Sequence, residues 1–329
     1  MASISLCMIV KNEEAVLERC LDSLRGIPDE IIIVDTGSTD RTKEIAAKYT
    51  NHIYDFTWVN DFSAARNFAF SKASCEYIYS ADADEVLEEA DRRKFLQLKE
   101  ALLPEIEIVE MIYVNPPECN SVYNFEREPR PKLFRRLRQF RFIDPVHETV
   151  ATEPLVFSSD IEIMHRPQSL HSSRDFQIFE GELEKGNGLS KRLYSMYAKE
   201  LFISGTEKDL AAAEPWFEKR HSEEGISAEE RLEAACVLAK CYFDSGRFEN
   251  LLALALTDAM DAALPAELCY LLGGYYEERQ SYTAAKWYQR AALQAENYVC
   301  LAYGGENALE KANTLFEKLG RNEEIVKFA

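Results

Sequence analysis

The chain has 329 residues, which is enough for two domains that each bury a core. Its 38 Lys and Arg against 57 Asp and Glu give a formal net charge of −19, which argues against general affinity for nucleic acid or anionic membranes. It opens on an apolar run without a basic leader and has no run of roughly 18 apolar residues, so we expect a soluble cytoplasmic protein without a transmembrane segment.

The first third of the chain alternates β-rich runs with amphipathic helices, a pattern typical of an α/β domain with a largely parallel sheet. Strands are predicted at residues 3–10, 30–35 and 77–81, and helices near residues 14–24 and 64–72. Each predicted strand ends in polar residues. Because ligands of open α/β sheets bind beyond the carboxyl ends of the strands, residues 11–13, 35–40 and 82–85 are expected to converge.

From residue 108 to residue 164 the β character continues but is broken by prolines, which predicts antiparallel strands and loops that complete the sheet. Beyond that region the composition shifts to Ala, Leu, Glu and Lys, with aromatic residues at helical spacing. We therefore predict an α/β domain over residues 1–170 and an all-α domain over residues 171–329.

The helical half contains an internal repeat of 34 residues, which is the tetratricopeptide period. Leu238-Ala239, Tyr242 and Phe248 recur as Leu272-Gly273, Tyr276 and Tyr282. In such repeats a small residue lets two helices touch, and aromatic residues fill the groove between them. Residues 192–223 and those after 307 are interpreted as degenerate or capping repeats.

The segment Ser80-Ala81-Asp82-Ala83-Asp84-Glu85 places two carboxylates one residue apart at the end of an apolar strand. Such carboxylates can present oxygens to one hard divalent cation, Mg²⁺ or Mn²⁺. The alternative is an acidic helix start, with residues 86–90 forming the first turns of the helix.

A second strand ends in Asp35 and a Gly-Ser turn before a predicted helix. Asp35 can accept hydrogen bonds from a base or a ribose. Asp40 and Thr39 have an alternative role as helix caps.

Four segments in chain order resemble the family 2 glycosyltransferases, which have a GT-A fold. They are Val10-Lys11-Asn12-Glu13, Val34-Asp35-Thr36-Gly37-Ser38-Thr39-Asp40, Asp61-Phe62-Ser63-Ala64-Ala65-Arg66-Asn67 and Asp82-Ala83-Asp84-Glu85. The resemblance covers roughly residues 3 to 170. It implies that Asp35 binds a uracil-type base with help from Arg66, that Asp82 contacts ribose or metal, and that Asp84 is a metal ligand. Glu85 is interpreted as structural, and the remaining residues expected to line the nucleotide-sugar site are Val10, Lys11, Glu13 and Ala83.

Acceptor activation needs a base, and the segment Val146-His147-Glu148 resembles the acidic acceptor-side motif of the family. We predict Glu148 as the base, with His147 as the second candidate. The alternatives are a core histidine and a surface strand glutamate. His165 ends a later strand-like run and resembles the histidine that completes metal binding in many GT-A enzymes.

Residues 127–141 contain seven basic residues in fifteen, within a strongly acidic protein. Cations there could stabilise a nucleotide diphosphate, and Arg135 and Arg136 are the candidates. The alternative is a solvated face that pairs with the acidic repeat domain.

The resemblance implies a metal-dependent inverting transfer from a UDP-sugar, with Mn²⁺ or Mg²⁺ as cofactor. Repeat arrays bind polypeptides or partner proteins, so the favoured acceptor is a peptide or protein side chain, and a homodimer through the repeat domain is a further expectation. The architecture is similar to bacterial peptide glycosyltransferases that modify Cys or Ser. Two alternatives remain open: a lipopolysaccharide or cell-wall glycosyltransferase, and a non-catalytic repeat scaffold with a decayed transferase domain.

Overall fold

A computed structural model describes residues 1–115, 127–150, 155–167, 172–185, 188–261 and 263–327 of the chain. The chain divides into two compact units, Met1–His171 and Ser172–Ala329. The predicted boundary between residues 170 and 171 lies outside the described residues. None of the helices in the described ranges has the length and hydropathy needed to cross a bilayer.

The described part of the first unit is built on an eight-stranded mixed sheet and a small two-stranded sheet. The strands are β1 Ile4–Val10, β2 Glu30–Asp35, β3 Ile53–Asp55, β4 Tyr77–Ser80, β5 Glu85–Val86, β6 Ile108–Val114, β7 Arg127–Arg135, β8 Phe142–Ile143, β9 Thr149–Val150 and β10 Val156–His165. The large sheet has the order β3-β2-β1-β4-β7-β6-β10-β5, and β8 pairs with β9. Strands β1 to β4 are parallel, and β7 runs antiparallel to both β4 and β6.

Helices cover both faces of the sheet, which explains why the central strands are apolar at almost every position. The helices are α1 Leu17–Ser23, α2 Thr42–Ala46, α3 Phe62–Lys72 and α4 Glu89–Ala101. Leu6 and Met8 of β1 pack in one core with side chains of α1, α2 and α4, whereas Cys7 packs in a second core with Ala69 and Phe70 of α3. Successive side chains of β1 therefore pack alternately into two different cores. The predicted α/β unit is confirmed.

The alternative interpretation of residues 86–90 as the first turns of a helix is wrong. Glu85 and Val86 form β5, and α4 begins only at Glu89. The cause is a long-range contact, because β5 pairs antiparallel with the end of β10, placing Val86 opposite Met164 and Glu85 opposite His165. Tertiary pairing here overrides the local helical signal.

The second unit is helical in its described residues, and the predicted all-α half is confirmed. Its helices are α5 Ser172–Glu184, α6 Lys191–Ser204, α7 Glu207–Ser222, α8 Ala228–Asp244, α9 Phe248–Asp261, α10 Ala266–Glu277, α11 Ser281–Leu293 and α12 Gly305–Lys318. Thr206 and Ser227 begin α7 and α8 with capping boxes, in which side chain and backbone satisfy each other's hydrogen bonds.

The repeated residues occupy equivalent places in two successive helix pairs. Leu238-Ala239 lies in α8 and Leu272-Gly273 in α10, and all four residues are buried. A Cβ atom at Gly273 would lie 2.8 Å from the ring of Tyr288, a residue of α11. The small residue is therefore needed for α10 and α11 to touch, as expected for a tetratricopeptide-like repeat.

Gly273→Ala is expected to lower the free energy of unfolding by about 1–3 kcal/mol, because the added methyl group overpacks the contact with Tyr288. Gly181→Ala is the matched control, since a Cβ on Gly181 of helix α5 meets nothing within 4 Å. The control should raise stability by up to about 1 kcal/mol through helix propensity. Urea unfolding of both variants measures the difference, and equal stabilisation by both would show that the helix contact is not tight.

Candidate functional site at the carboxyl edge of the sheet

The loops that follow β1 and β2 are joined by side-chain hydrogen bonds. The Asn12 backbone N–H donates to Ser38 Oγ at 2.9 Å, and Asn12 Oδ1 accepts from the Thr39 backbone N–H at 2.8 Å. Asn12 has φ 57°, a left-handed conformation that asparagine tolerates better than most residues. Asp40 accepts from the backbone N–H groups of Glu14 and Thr42, which gives it a structural role in linking the two loops.

Asp35 ends β2 beside Val10, the last residue of β1. Its carboxylate is 1% exposed and accepts from the backbone N–H groups of Gly37 at 3.1 Å and Ser38 at 3.0 Å, with Lys43 Nζ at 3.7 Å. Gly37 has φ 107°, which favours glycine in this turn. Val10, Lys11 and Glu13 therefore lie at the same edge as Asp35, with Lys11 exposed and Glu13 half-buried.

Arg66 lies between two carboxylates that are far apart in sequence. Its Nη2 donates to Asp82 Oδ1 at 2.7 Å, and its Nε donates to Glu148 Oε1. The side chains of Arg66 and Glu148 are each 13% exposed. Helix α3, which carries Arg66, thus joins the aspartate after β4 to the glutamate before β9.

The charges of Arg66, Asp82 and Glu148 stabilise one another. Burial opposes the charge on Arg66, but Asp82 and Glu148 raise the pKa of the guanidinium above its ordinary value. Burial likewise opposes the charge on Asp82, but the nearby Arg66 and Lys132 hold its pKa well below the usual range. Asp82 and Arg66 are therefore an ion pair at neutral pH.

Asp84 and His165 form a second pair, assembled by the pairing of β5 with β10. His165 Nε2 is 3.2 Å from Asp84 Oδ2, and His165 Nδ1 is 3.0 Å from Oδ1 of the buried Asn115. The Arg166 backbone N–H donates to the Asp84 carbonyl at 2.9 Å, which fixes the two strand ends together.

The chemistry of this pair fits a cation. A His165 ring that donates its Nδ1–H to the Asn115 amide oxygen directs the lone pair of Nε2 toward Asp84 Oδ2, so the two atoms can bind one ion together. A ligating histidine that donates its other ring N–H is the usual outer-shell pattern of metal sites. Asp84 and His165 could hold a divalent ion together.

Glu85 is buried, with its side chain turned into the protein against Lys132. Lys132 Nζ donates to Glu85 Oε1 at 2.5 Å and to the Ser80 carbonyl at 3.2 Å, while Glu85 Oε2 has no hydrogen-bond partner among the described residues. Burial raises the pKa of Glu85 to about 7, with Lys132 opposing the shift and Asp82 adding to it. This position agrees with the structural role predicted for Glu85.

Arg135 and Arg136 lie away from Arg66, Asp82 and Glu148. Their predicted role as diphosphate-binding residues is therefore wrong. Arg135 pairs with Tyr77 at the start of β4, and Arg136 Nε donates to the Cys75 carbonyl, just before β4. Both therefore lie at the opposite edge of the sheet from Asp82. Strand β7 is antiparallel to β4, so its earlier residues, not its later ones, lie near the carboxyl edge.

Within the basic run of residues 127–141, Arg130 and Lys132 are the residues whose charges act on Asp82. The Arg130 guanidinium stacks over the Tyr113 ring at 3.8 Å, and the Tyr113 ring is 5.2 Å from that of His165. The charge of Arg130 contributes to the lowered pKa of Asp82. Neither residue was singled out from the sequence, because the register of β7 against β4 that brings them here is a long-range pairing.

His147 and Glu148 lie in the turn between β8 and β9. His147 is half-buried and has φ 48°, in the left-handed region. Glu148 reaches Arg66, so the structure brings the candidate base and the aspartate motif together. Which of the two residues acts as base stays a prediction.

Residues 5–156 match the model of glycosyl transferase family 2. This region is a family 2 glycosyltransferase domain. The match includes Asp35, Arg66, Asp82, Asp84 and Glu148, whereas His165 and the helical unit lie outside it. The predicted family is confirmed for this domain.

Two curated relatives align with about half of the chain. A TPR repeat-containing protein of Synechococcus elongatus is 40% identical over 153 residues, which are 46% of this chain and 36% of the relative. The SPbeta prophage-derived glycosyltransferase SunS of Bacillus subtilis is 28% identical over 167 residues, which are 48% of this chain and 36% of the relative. The alignments thus span only about a third of the length of these relatives.

Among solved structures, glucosyl-3-phosphoglycerate synthase from Mycobacterium tuberculosis, in complex with Mg²⁺ and UDP, covers 58% of this chain and 81% of its own. The TM-score is 0.39 and the identity is 17%. The assignment of residues 5–156 to family 2 rests on the match to the family model.

Proposed function

We propose that the family 2 domain transfers a sugar from a nucleotide diphosphate sugar, with UDP as the nucleotide, to an acceptor hydroxyl or thiol with inversion. One observation carries the proposal: Arg66 contacts both Asp82 of the donor-side aspartate motif and Glu148 on the acceptor side. An inverting displacement needs a donor site and a base within one sugar of each other.

The donor nucleotide would lie over the ends of β1, β2 and β4. Asp35 is already oriented by its own turn and can accept from the base, while Val10, Lys11 and Glu13 line the same edge. Asp82 and Ala83 would contact the ribose. Arg66 carries a fixed positive charge next to Asp82 and adds a cation to the site.

Asp84 and His165 would hold Mn²⁺ or Mg²⁺, which neutralises a diphosphate when bound. Their contact and the orientation of the His165 ring by Asn115 support this assignment. Arg130, rather than Arg135 or Arg136, would add positive charge at the leaving group, since it stacks over Tyr113 beside His165.

Glu148 would accept the proton of the acceptor as its oxygen or sulfur attacks the anomeric carbon and the nucleoside diphosphate leaves. Arg66 holds one oxygen of that carboxylate, which orients the other. His147 precedes it in a left-handed turn and is the alternative base.

The proposed acceptor is a peptide or protein side chain. The paired helices of the second unit, with Gly273 packed on Tyr288, support a repeat array of the kind that binds polypeptides. Association of two copies through this unit is a further proposal. A transferase acting on an envelope glycan is the second candidate, and in that case the repeats would serve only assembly.

The experiment is a transfer assay with the purified full chain, radiolabelled UDP-glucose or UDP-N-acetylglucosamine and Mn²⁺. Acceptors are Cys- and Ser-containing peptides and, in parallel, lipid-linked glycan primers. Label on peptides that disappears with EDTA supports the proposal, and label only on glycan primers selects the second candidate. A lack of UDP binding at millimolar concentration, measured by calorimetry with Mn²⁺, would instead indicate a non-catalytic scaffold.

Asp84→Asn is expected to raise the Mn²⁺ concentration needed for half-maximal transfer by more than the roughly 10- to 100-fold seen when an outer-shell partner is removed. The reason is that the variant removes a charged oxygen from the proposed ligand pair. The matched control is Asp160→Asn, a carboxylate that is 85% exposed. An unchanged Mn²⁺ dependence in Asp84→Asn would rule out Asp84 as a ligand.

A further inference from the structure

Asn67 binds the backbone of β8 in both directions. Its Nδ2 donates to the Phe142 carbonyl at 2.9 Å, and its Oδ1 accepts from the Phe142 backbone N–H at 2.9 Å. An amide side chain offers the same donor and acceptor pair as a peptide group. Asn67 therefore acts on Phe142 as an extra strand residue would, and it does so from the same helix as Arg66.

The segment held in this way carries the proposed base. Strand β8 pairs with β9 in a sheet separate from the eight-stranded one, as far as the described residues show. Its position relative to Asp82 therefore comes from packing of Phe142 against Phe134 of β7, with ring centroids 6.0 Å apart, and from contacts with α3, which include the hydrogen bonds of Asn67. The Phe62 backbone N–H donates to the Pro145 carbonyl at 2.8 Å, and the Phe70 ring packs edge-on against Phe142 at 5.2 Å.

The turn after β8 is strained and must be held by its surroundings. Asp144 has φ 72° and His147 has φ 48°, both in the left-handed region although neither is glycine. Backbone of this kind persists where neighbouring contacts fix it. The contacts at Phe142, just before the turn, and at Pro145, within it, are two such restraints.

We infer that Asn67 is a positioning residue for the acceptor-activating step: by clamping Phe142 to α3 it fixes the turn that presents the Glu148 carboxylate beside Arg66. This inference rests on the proposed role of Glu148. Asn67 and Arg66 are neighbours on α3 and have different roles. Arg66 contacts the Glu148 carboxylate, and Asn67 contacts the backbone of Phe142, which precedes the turn. Asn67 itself contacts neither donor nor acceptor in the proposed mechanism.

The test compares kcat, KM for the UDP-sugar and UDP affinity in Asn67→Leu, Asn67→Asp and wild type. Asn67→Leu is expected to lower kcat by about 10- to 100-fold, because small misplacements of a catalytic group are costly. KM and the UDP dissociation constant should stay within about twofold of wild type, since the donor site is built on other strands. Asn67→Asp keeps the bond from the Phe142 N–H and loses the donor, so its kcat should fall in between.

A double variant separates positioning from a general loss of structure. If Asn67 acts through Glu148, adding Asn67→Leu to Glu148→Gln should lower kcat less than about twofold further, because effects of residues acting as a unit are not additive. Ser71→Ala, one turn further along α3, is the control, since the Ser71 hydroxyl donates to the Phe68 carbonyl of the same helix. It should leave kcat unchanged.

Several outcomes overturn the inference. They are a wild-type kcat in Asn67→Leu, equal losses in kcat and UDP affinity, or a fully multiplicative loss in the double variant. If Asn67→Leu fails to fold, the same comparison of kcat is made with Asn67→Asp, alone and combined with Glu148→Gln. A wild-type kcat in Glu148→Gln overturns the proposed base as well, whereas a slow Glu148→Gln with a normal Asn67→Leu overturns only the role of Asn67.

Discussion

Glu148→Gln is expected to lower kcat for sugar transfer by about 10²- to 10⁴-fold, the usual contribution of a positioned general base. Glutamine keeps the size of the side chain and can still accept from Arg66, so the loss reports the missing proton acceptor. UDP affinity should change little, because the nucleotide is proposed to lie over β1, β2 and β4. Steady-state kinetics with a saturating acceptor measures the effect, and Glu105→Gln, an exposed glutamate of the same unit, is the control.

The alternative base gives a distinct result. If His147 removes the proton, His147→Asn loses transfer and Glu148→Gln keeps most of it. The pH dependence of kcat should then also follow a group of the histidine class. A wild-type kcat in both variants would contradict an acceptor base in the turn between β8 and β9.

Arg66→Met is expected to lower the free energy of unfolding at neutral pH by about 3 kcal/mol, near the lower limit for breaking a buried ion pair. The side chain is 13% exposed and is the shared partner of Asp82 and Glu148, so its removal leaves two carboxylates facing each other. The lower limit applies because Asp82 is partly solvated, with 34% of its side chain exposed. Chemical unfolding measures the loss, which should be accompanied by loss of transfer.

Two comparisons sharpen this prediction. Arg93→Met, which breaks an ion pair with the side chain of Arg93 71% exposed, should cost less than about 1 kcal/mol. Adding Glu148→Gln to Arg66→Met should restore part of the stability, because one uncompensated charge is removed. If Arg66→Met is as stable as Arg93→Met, the contacts of Arg66 do not hold the site together.

The contribution of the Arg66–Asp82 ion pair to stability depends on pH with a definite sign. Arg66 and Lys132 lower the pKa of Asp82 in the folded protein, so the ionised pair contributes stability above the unfolded pKa of about 3.9. That contribution is lost as the pH falls through the folded pKa. The stability difference between wild type and Arg66→Met should therefore shrink below about pH 4, and a difference that grows in acid would contradict the ion pair.

The sequence predicted the residues that follow recognisable strands. Asp35 follows an apolar run that forms β2, and Asp82 and Asp84 follow the run that forms β4, so the parallel topology brings them to one edge. The helix that carries Arg66 was also recognisable, because it separates two such strands. The positions of these residues can be predicted because they follow from local sequence pattern and from the general geometry of parallel sheets.

The other contacts of the site depend on long-range pairing that local sequence pattern does not encode. Strand β5 exists because β10 returns beside it, and this pairing sets Asp84 against His165. The direction of β7 decides that Arg130, rather than Arg135, lies near Asp82, and a basic run alone is the same in either direction. Asn67 follows Arg66 in sequence, but its function lies in a backbone contact with Phe142, 75 residues away.

The proposed donor site can be tested by a crystal structure of the full chain with UDP and Mn²⁺. We expect one Mn²⁺ coordinated by Asp84 and His165, the diphosphate beside it, and the uracil ring next to Asp35. A nucleotide bound away from the ends of β1, β2 and β4, or a Mn²⁺ ion that contacts neither Asp84 nor His165, would contradict it.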